Sequence, residues 1–183
     1  VWDVLTVQER YHVIMRCKRL KRTCDFGTLD SRHAKHSELA PEMRKYKGSV
    51  CFQGNNVRDE HGLAAVFDDP SSAASFIQAS KMLDIVAMLP GNSGEQSDAP
   101  QAYTQALLYG DRLDNAVETW VIIPADQRPE KWSNFRLPVV RLRLVLYGHP
   151  LSGKFWEKHC HKGLMSVGFQ PIVGWECCFI YKN

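Results

Sequence analysis

The chain has 183 residues, of which 44% are hydrophobic and 23% charged. That composition can bury a real core and excludes wholesale disorder. No stretch approaches the roughly 18 to 20 uncharged apolar residues of a membrane helix. The opening VWDVLTVQERYHV lacks the charged start and small-residue cleavage site of a secretory leader. An intracellular protein of cytoplasm or nucleus, without a membrane partner, is therefore expected.

The formal charge of +3 is unevenly spread: Arg16 to Lys47 holds ten Lys or Arg against four Asp or Glu, giving +6 there and −3 over the rest. Such a block suits a phosphate backbone, because each neutralised phosphate releases counterions. Arg16, Lys18, Arg19, Lys21, Arg22 and Lys45 are the candidate nucleic-acid contacts. A solvated basic surface has the same charge pattern.

In chain order, Thr6 and Glu9 have capping-box spacing, and Val7, Tyr11, Ile14 and Met15 recur at helical intervals, so a basic-faced helix is predicted from about Thr6 to Leu20. KGSVCFQ, Lys47 to Gln53, reads as a strand that runs into Gly54 and two asparagines. Pro70 and the serines after it open a helix ending near Gly91, with Phe76, Ile77, Met82, Leu83 and Val86 on one face. Asp68 and Asp69 before that proline suit a helix N-terminus, where the dipole favours carboxylates.

After the turn-rich PGNSGEQS, TWVII (Thr119 to Ile123) reads as a strand, and VVRLRLVLY (Val139 to Tyr147) begins with strand-like alternation. A helix follows from about Ser152 to Val167, stopped by Gly168, with Phe155 and Trp156 expected to face the core, and CCFIY (Cys177 to Tyr181) makes a last short strand. Strands mixed with helices without regular alternation argue an α+β fold. The 6 cysteines form no CxxC pair, and His159, Cys160 and His161 point in different directions on a helix, so alone they cannot close a tetrahedral zinc site. Reduced thiols are expected.

DAPQAY, Asp98 to Tyr103, resembles the first palm motif of reverse transcriptases. Downstream, in order, lie ETWVIIP (Glu118 to Pro124), RLRLVLYGHPLSGKFW (Arg141 to Trp156) and GFQPIVGWECCFIYK (Gly168 to Lys182). Upstream lies KYKGSVCFQGNN (Lys45 to Asn56). Together these resemble the copia-type retrotransposon reverse transcriptases. The resemblance implies right-hand polymerase fingers with a partial palm, divided as residues 1–95 (basic helix and fingers) and 96–183 (first catalytic motif and palm helix). It implies RNA template and DNA primer as partners and Mg²⁺ as cofactor. Asp98 would be a catalytic metal ligand, Tyr103 would pack under the sugar of the incoming nucleotide, and Lys47 would lie near the triphosphate or the template backbone.

The same resemblance places an adjacent aspartate pair on a hairpin just beyond Asn183. The chain would thus be an N-terminal fragment, inactive alone, whose last strand offers an unpaired edge for self-association. It departs from the family at Ser49, where an arginine is usual, at Leu151, where a polar residue is usual, and at Pro100, which removes a backbone donor. Two other readings are a non-catalytic nucleic-acid-binding or interaction module derived from such an element, and an unrelated metal hydrolase built on Asp98, Asp111 and Asp114. The last has little support, since YGDRLDN is a turn-like, exposed segment.

Overall fold

The computed structural model describes residues 1–35, 40–43, 45–67, 75–108 and 117–181, with the side chains of residues 31–35, 43 and 45–49 outside the description. Strands β1 (Gln8–Glu9), β2 (Thr23–Lys35), β3 (Lys45–Phe52), β4 (Val117–Ile122) and β5 (Pro138–Arg141) make one sheet in the order β1-β5-β4-β2-β3. β2 and β4 are parallel, from Thr23 opposite Val117 to Thr28 opposite Ile122, and the other pairs are antiparallel. Helices α1 (Arg10–Leu20), α2 (Ile77–Ala87) and α3 (Ser152–Ser166) and a separate hairpin of β6 (Phe169–Pro171) with β7 (Phe179–Tyr181) complete the α+β fold among the described residues. The main sheet draws strands from both sides of residue 95. No helix among the described residues is long and apolar enough to cross a membrane.

Alternation along the strands builds two cores, one on each face of the sheet. Trp120, Val139, Cys24 and Phe26 meet Val13 and Cys17 of α1 on one face. Val121, Val140, Leu29 and Phe52 join Leu142, Val145, Leu146 and Trp132 on the other. With both faces covered, β4 and β5 read as nearly continuous β-branched and aromatic runs.

Helix α1 is shorter than the predicted Thr6 to Leu20. Thr6 belongs to a 3₁₀ turn (Val4–Thr6) and donates its hydroxyl to the Asp3 carbonyl, while the Glu9 carboxylate accepts the Arg136 and Leu137 N–H groups. The capping-box pair is thereby spent on joining β1 to β5. The buried face is Val13 and Cys17, one helical turn apart, whereas Tyr11 and Met15 are exposed. The helix ends without glycine, at Lys21 in the left-handed region (φ 52°).

Across α1 and the sheet, the Glu118 carboxylate is buried (4% exposed) and satisfied. Arg16 Nη2 lies 2.5 Å from Oε2, Arg22 Nη1 lies 3.7 Å from Oε1, and the Trp120 indole N–H donates to Oε2 at 3.0 Å. The Arg16 guanidinium also sits 5.2 Å from the centre of the Trp120 ring. A buried carboxylate needs such partners.

The tightest contact is backbone on backbone. Gly148 (φ +85°) follows Tyr147, whose carbonyl accepts the Phe52 N–H at 2.7 Å, and a Cβ on Gly148 would stand 2.1 Å from the Phe52 carbonyl oxygen. A Cβ on Gly54 would stand 2.2 Å from the Gly148 oxygen. On β2, Gly27 leaves room for the Phe52 ring. His149 then packs against Phe52 and Phe67, accepts the Leu151 N–H at Nδ1, and hands the chain to α3, where the Ser152 hydroxyl bonds the Leu146 and His149 carbonyls.

The Ser152 start of α3 agrees with the sequence reading, and the helix ends at Ser166, with Gly168 (φ +100°) past its end. The helix predicted from Pro70 is described from Ile77 to Ala87, and residues 68–74, including Asp68, Asp69 and Pro70, lie outside the described residues. Phe76, Ile77, Met82, Leu83 and Val86 are all exposed, and only Ala79 is buried. Among the described residues, α2 shares a groove of about 270 Å³ with the β6–β7 hairpin and the segment joining its two strands. The last strand is also shorter than predicted, because Cys177 sits in the left-handed region (φ 54°) and Cys177 and Cys178 belong to the turn before Phe179.

The packing leads to two predictions. Gly148→Ala should cost about 3 kcal/mol or more, from the left-handed backbone and the clash with the Phe52 carbonyl, read as a shift in the urea midpoint. Burial lowers the His149 pKa to about 4, while burial, then the charges of Glu60 and Asp59, raises that of Asp25 to about 6. Below pH 6.5 the unfolded chain protonates His149 and the folded one does not, so His149 destabilises the fold progressively down to about pH 4. Over almost the same window Asp25 is protonated first in the folded state and stabilises it, each effect reaching about 3 kcal/mol. The wild-type chain should therefore show a shallow profile from pH 6.5 to 4; His149→Asn should gain stability on acidification and Asp25→Asn should lose it.

Candidate functional site

The segment carrying Asp98 has no regular structure, and its course is set by the turn that follows. Gln101 is left-handed (φ 53°), its carbonyl accepts both the N–H and the hydroxyl of Thr104, and Gln105 Nε2 donates to the Pro100 carbonyl at 2.8 Å. The 3₁₀ turn Ala102–Gln105 so formed packs on α3. Beyond it Ala106 and Leu108 enter the core, held by Val145 N–H to the Ala106 carbonyl and Leu108 N–H to the Arg143 carbonyl, each at 2.9 Å. Asp98 is thus anchored from its C-terminal side.

Asp98, Gln101, Tyr103 and Thr104 form one wall of a cleft of about 790 Å³. Val50 and Cys51 at the end of β3, Leu146 and Tyr147 before the glycine turn, and Trp156 of α3 form the others. Tyr103 and Tyr147 meet edge to face with ring centres 4.8 Å apart. The described residues of the cleft therefore offer aromatic surface, a few hydrogen-bonding groups and a single side-chain carboxylate, that of Asp98.

Of the residues singled out from sequence, the fold brings Asp98 and Tyr103 together. Lys47 lies on β3, opposite His33 and four residues before Cys51, and Lys45 opposite Lys35; their side chains are outside the description. The described cations of the basic block fall into two groups. Arg16 and Arg22 bind Glu118, whereas Lys18, Arg19 and Lys21 stand exposed at the end of α1. Asp111 and Asp114 lie outside the described residues.

Trp156 differs from expectation. Helical spacing puts it in the core beside Phe155, but Phe155 alone packs on the main core, and Asp98 lies on no strand against which the pair could be buried. Trp156 is half-buried, lines the cleft and stacks on His159 at 5.7 Å. Sequence reading also missed Tyr147 as a cleft residue, although its place directly before the Gly148 turn marked it as close to a backbone crossing.

Outside the cleft, Asp25 on β2 is buried, and Glu60, half-buried, accepts the Cys24 N–H at 3.1 Å. For a metal, the described residues hold one convergent set of donors, Glu157, His161 and Cys177, on α3 and the last turn rather than in the cleft. Comparison of the chain with family models, curated proteins and solved structures found no match.

Because Trp156 stands at a cleft wall, Trp156→Ala should cost only about 1–2 kcal/mol, less than the roughly 3–5 of a fully buried aromatic, and less than Phe155→Ala in the same denaturation assay. Equal losses would put both rings in the core.

Proposed function

We propose that these 183 residues are fingers and first-palm segments of a copia-type reverse transcriptase, acting as a nucleic-acid-binding piece of that enzyme. The observation that carries this reading is the cleft: Asp98 and Tyr103, Tyr147, and Trp156 come from separated stretches of the resemblance and line one space. Asp98 would take the first metal-ligand position, and Tyr103, held on edge by Tyr147, would meet the sugar of an incoming nucleotide. RNA template and DNA primer would meet Lys18, Arg19 and Lys21 where α1 runs into β2, and Lys47 and Lys45 toward the far end of β2, opposite His33 and Lys35.

Two Mg²⁺ ions a few ångströms apart repel strongly unless several carboxylates neutralise them. The described residues lining the cleft supply one, and that donor set does not fit a two-metal centre. That favours binding without catalysis for the chain as it stands. Self-association belongs to the same reading: β7 pairs with β6 along one edge, and its other edge would accept a second chain.

On a primed RNA template the 183-residue chain should bind with a log affinity that falls linearly with log salt. Replacing Lys18, Arg19 and Lys21 by Gln should weaken binding to all sequences alike and lower the salt slope by roughly 1 for each phosphate no longer neutralised. Arg16→Gln should instead destabilise the fold. No primer extension is expected with Mg²⁺ or Mn²⁺. Binding that ignores salt would sink the nucleic-acid reading, and extension abolished by Asp98→Ala would show that a complete metal centre forms after all.

A further inference from the structure

Helix α3 and the last hairpin meet through a group of side chains unrelated to the Asp98 cleft. Glu157 and His161 are one turn apart on the same face of α3, and Cys177 reaches them from the turn before β7. Glu157 Oε1 lies 3.8 Å from His161 Nε2 and 3.8 Å from Cys177 Sγ, and the three donor atoms all fall within 4.8 Å of one another.

We propose that Glu157, His161 and Cys177 hold a Zn²⁺-class divalent cation that clamps the β6–β7 hairpin onto α3. Zinc takes carboxylate oxygen, imidazole nitrogen and thiolate sulfur at about 2.0 to 2.3 Å, which sets tetrahedral edges of about 3.3 to 3.7 Å between ligand atoms. The two separations from Glu157 therefore need to close by only a few tenths of an ångström, and that between His161 and Cys177, within 4.8 Å, by up to about an ångström. The oxygen and nitrogen stand too far apart for a good hydrogen bond and suit a shared cation instead.

Two further observations bear on the same point. His161 Nε2 is closed off from solvent and has no hydrogen-bond partner among the described residues, an arrangement that is costly without a ligand. Its ring is fixed by the edge of Phe179, 4.8 Å away on β7, so the nitrogen is already aimed. Cys177 adopts a left-handed backbone (φ 54°) that β-carbon-bearing residues rarely take. That conformation turns its thiol back toward α3.

The donor chemistry chooses the ion. A thiolate and an imidazole favour Zn²⁺ or Co²⁺ over Mg²⁺, which demands hard oxygen ligands in an octahedron. Three protein ligands leave a fourth position for water or a further donor. On binding, the Cys177 thiol gives up its proton to solvent and neutral His161 donates the Nε2 lone pair.

The reduced, metal-free chain should be titrated anaerobically with Co²⁺ and followed by absorption. A single equivalent should produce a near-ultraviolet thiolate-to-cobalt charge-transfer band with tetrahedral d–d bands, all displaced by Zn²⁺. Cys177→Ser should remove the charge-transfer band, while Glu157→Gln and His161→Asn should weaken binding roughly 10-fold or more. Cys160→Ser and Cys178→Ser should leave it unchanged, which separates this site from the other thiols nearby. Zn²⁺, but not Mg²⁺, should raise the Tm of the wild-type chain and leave that of His161→Asn unchanged. No charge-transfer band, or one that survives Cys177→Ser, would overturn the proposal.

Discussion

Everything around the cleft depends on two polypeptide backbones lying closer than side chains permit. Gly148 presses on the Phe52 carbonyl and Gly54 on the Gly148 oxygen, so neither position has room for a Cβ. This crossing fixes the end of β3 against the segment that starts α3. Phe52 sends its ring the other way, over Gly27 of β2, and so locks the sheet to the same point. The cleft walls at Cys51, Tyr147 and Trp156 are consequences of it. The geometry of the site is thus inherited from glycine placement rather than from contacts among the site residues themselves.

A second constraint is electrostatic. Burying Glu118 under α1 obliges two cations of the basic block to face inward, and the Trp120 indole completes the carboxylate's partners. The formal charge of the block therefore overstates what a nucleic acid would meet. Arg16 and Arg22 work for the fold, and of the block's cations whose side chains are described, Lys18, Arg19 and Lys21 at the end of α1 are left to solvent.

How much of this could be read from sequence varied with the kind of signal. The strands at Lys45–Phe52 and Val117–Ile122 and the helix from Ser152 were legible because β-branched runs, the Gly-His-Pro turn and a helical apolar pattern act locally. The start of α1 was not, because Thr6 and Glu9 find partners in Arg141, Arg136 and Leu137, far along the chain, and local capping spacing cannot announce that. The apolar face of α2 carries the periodicity of a core helix and lies exposed, since periodicity reports what a face prefers and not whether anything covers it. The order of motifs singled out Asp98 and Tyr103, and both line the cleft. The convergence of Glu157, His161 and Cys177 was hidden for the opposite reason: spacing along α3 reveals the first two, while the third arrives through a turn whose left-handed residue is not a glycine.

The parallel pairing of β2 with β4 carries a consequence for how the chain acquires its shape. β2 is synthesised early and can pair at once with β3 through a local hairpin, but its other edge waits for Val117–Ile122 to emerge. Until then Cys24 and Phe26 have α1 on one side and an open row of backbone donors and acceptors on the other. Closing a loop of that length is slow, and non-local pairing dominates the rate of folding. The topology thus favours an order of assembly: hairpin and first helix early, then the central strand, with β5 and β1 added onto it. The interval between them is when a nascent chain exposes a sheet edge to its neighbours.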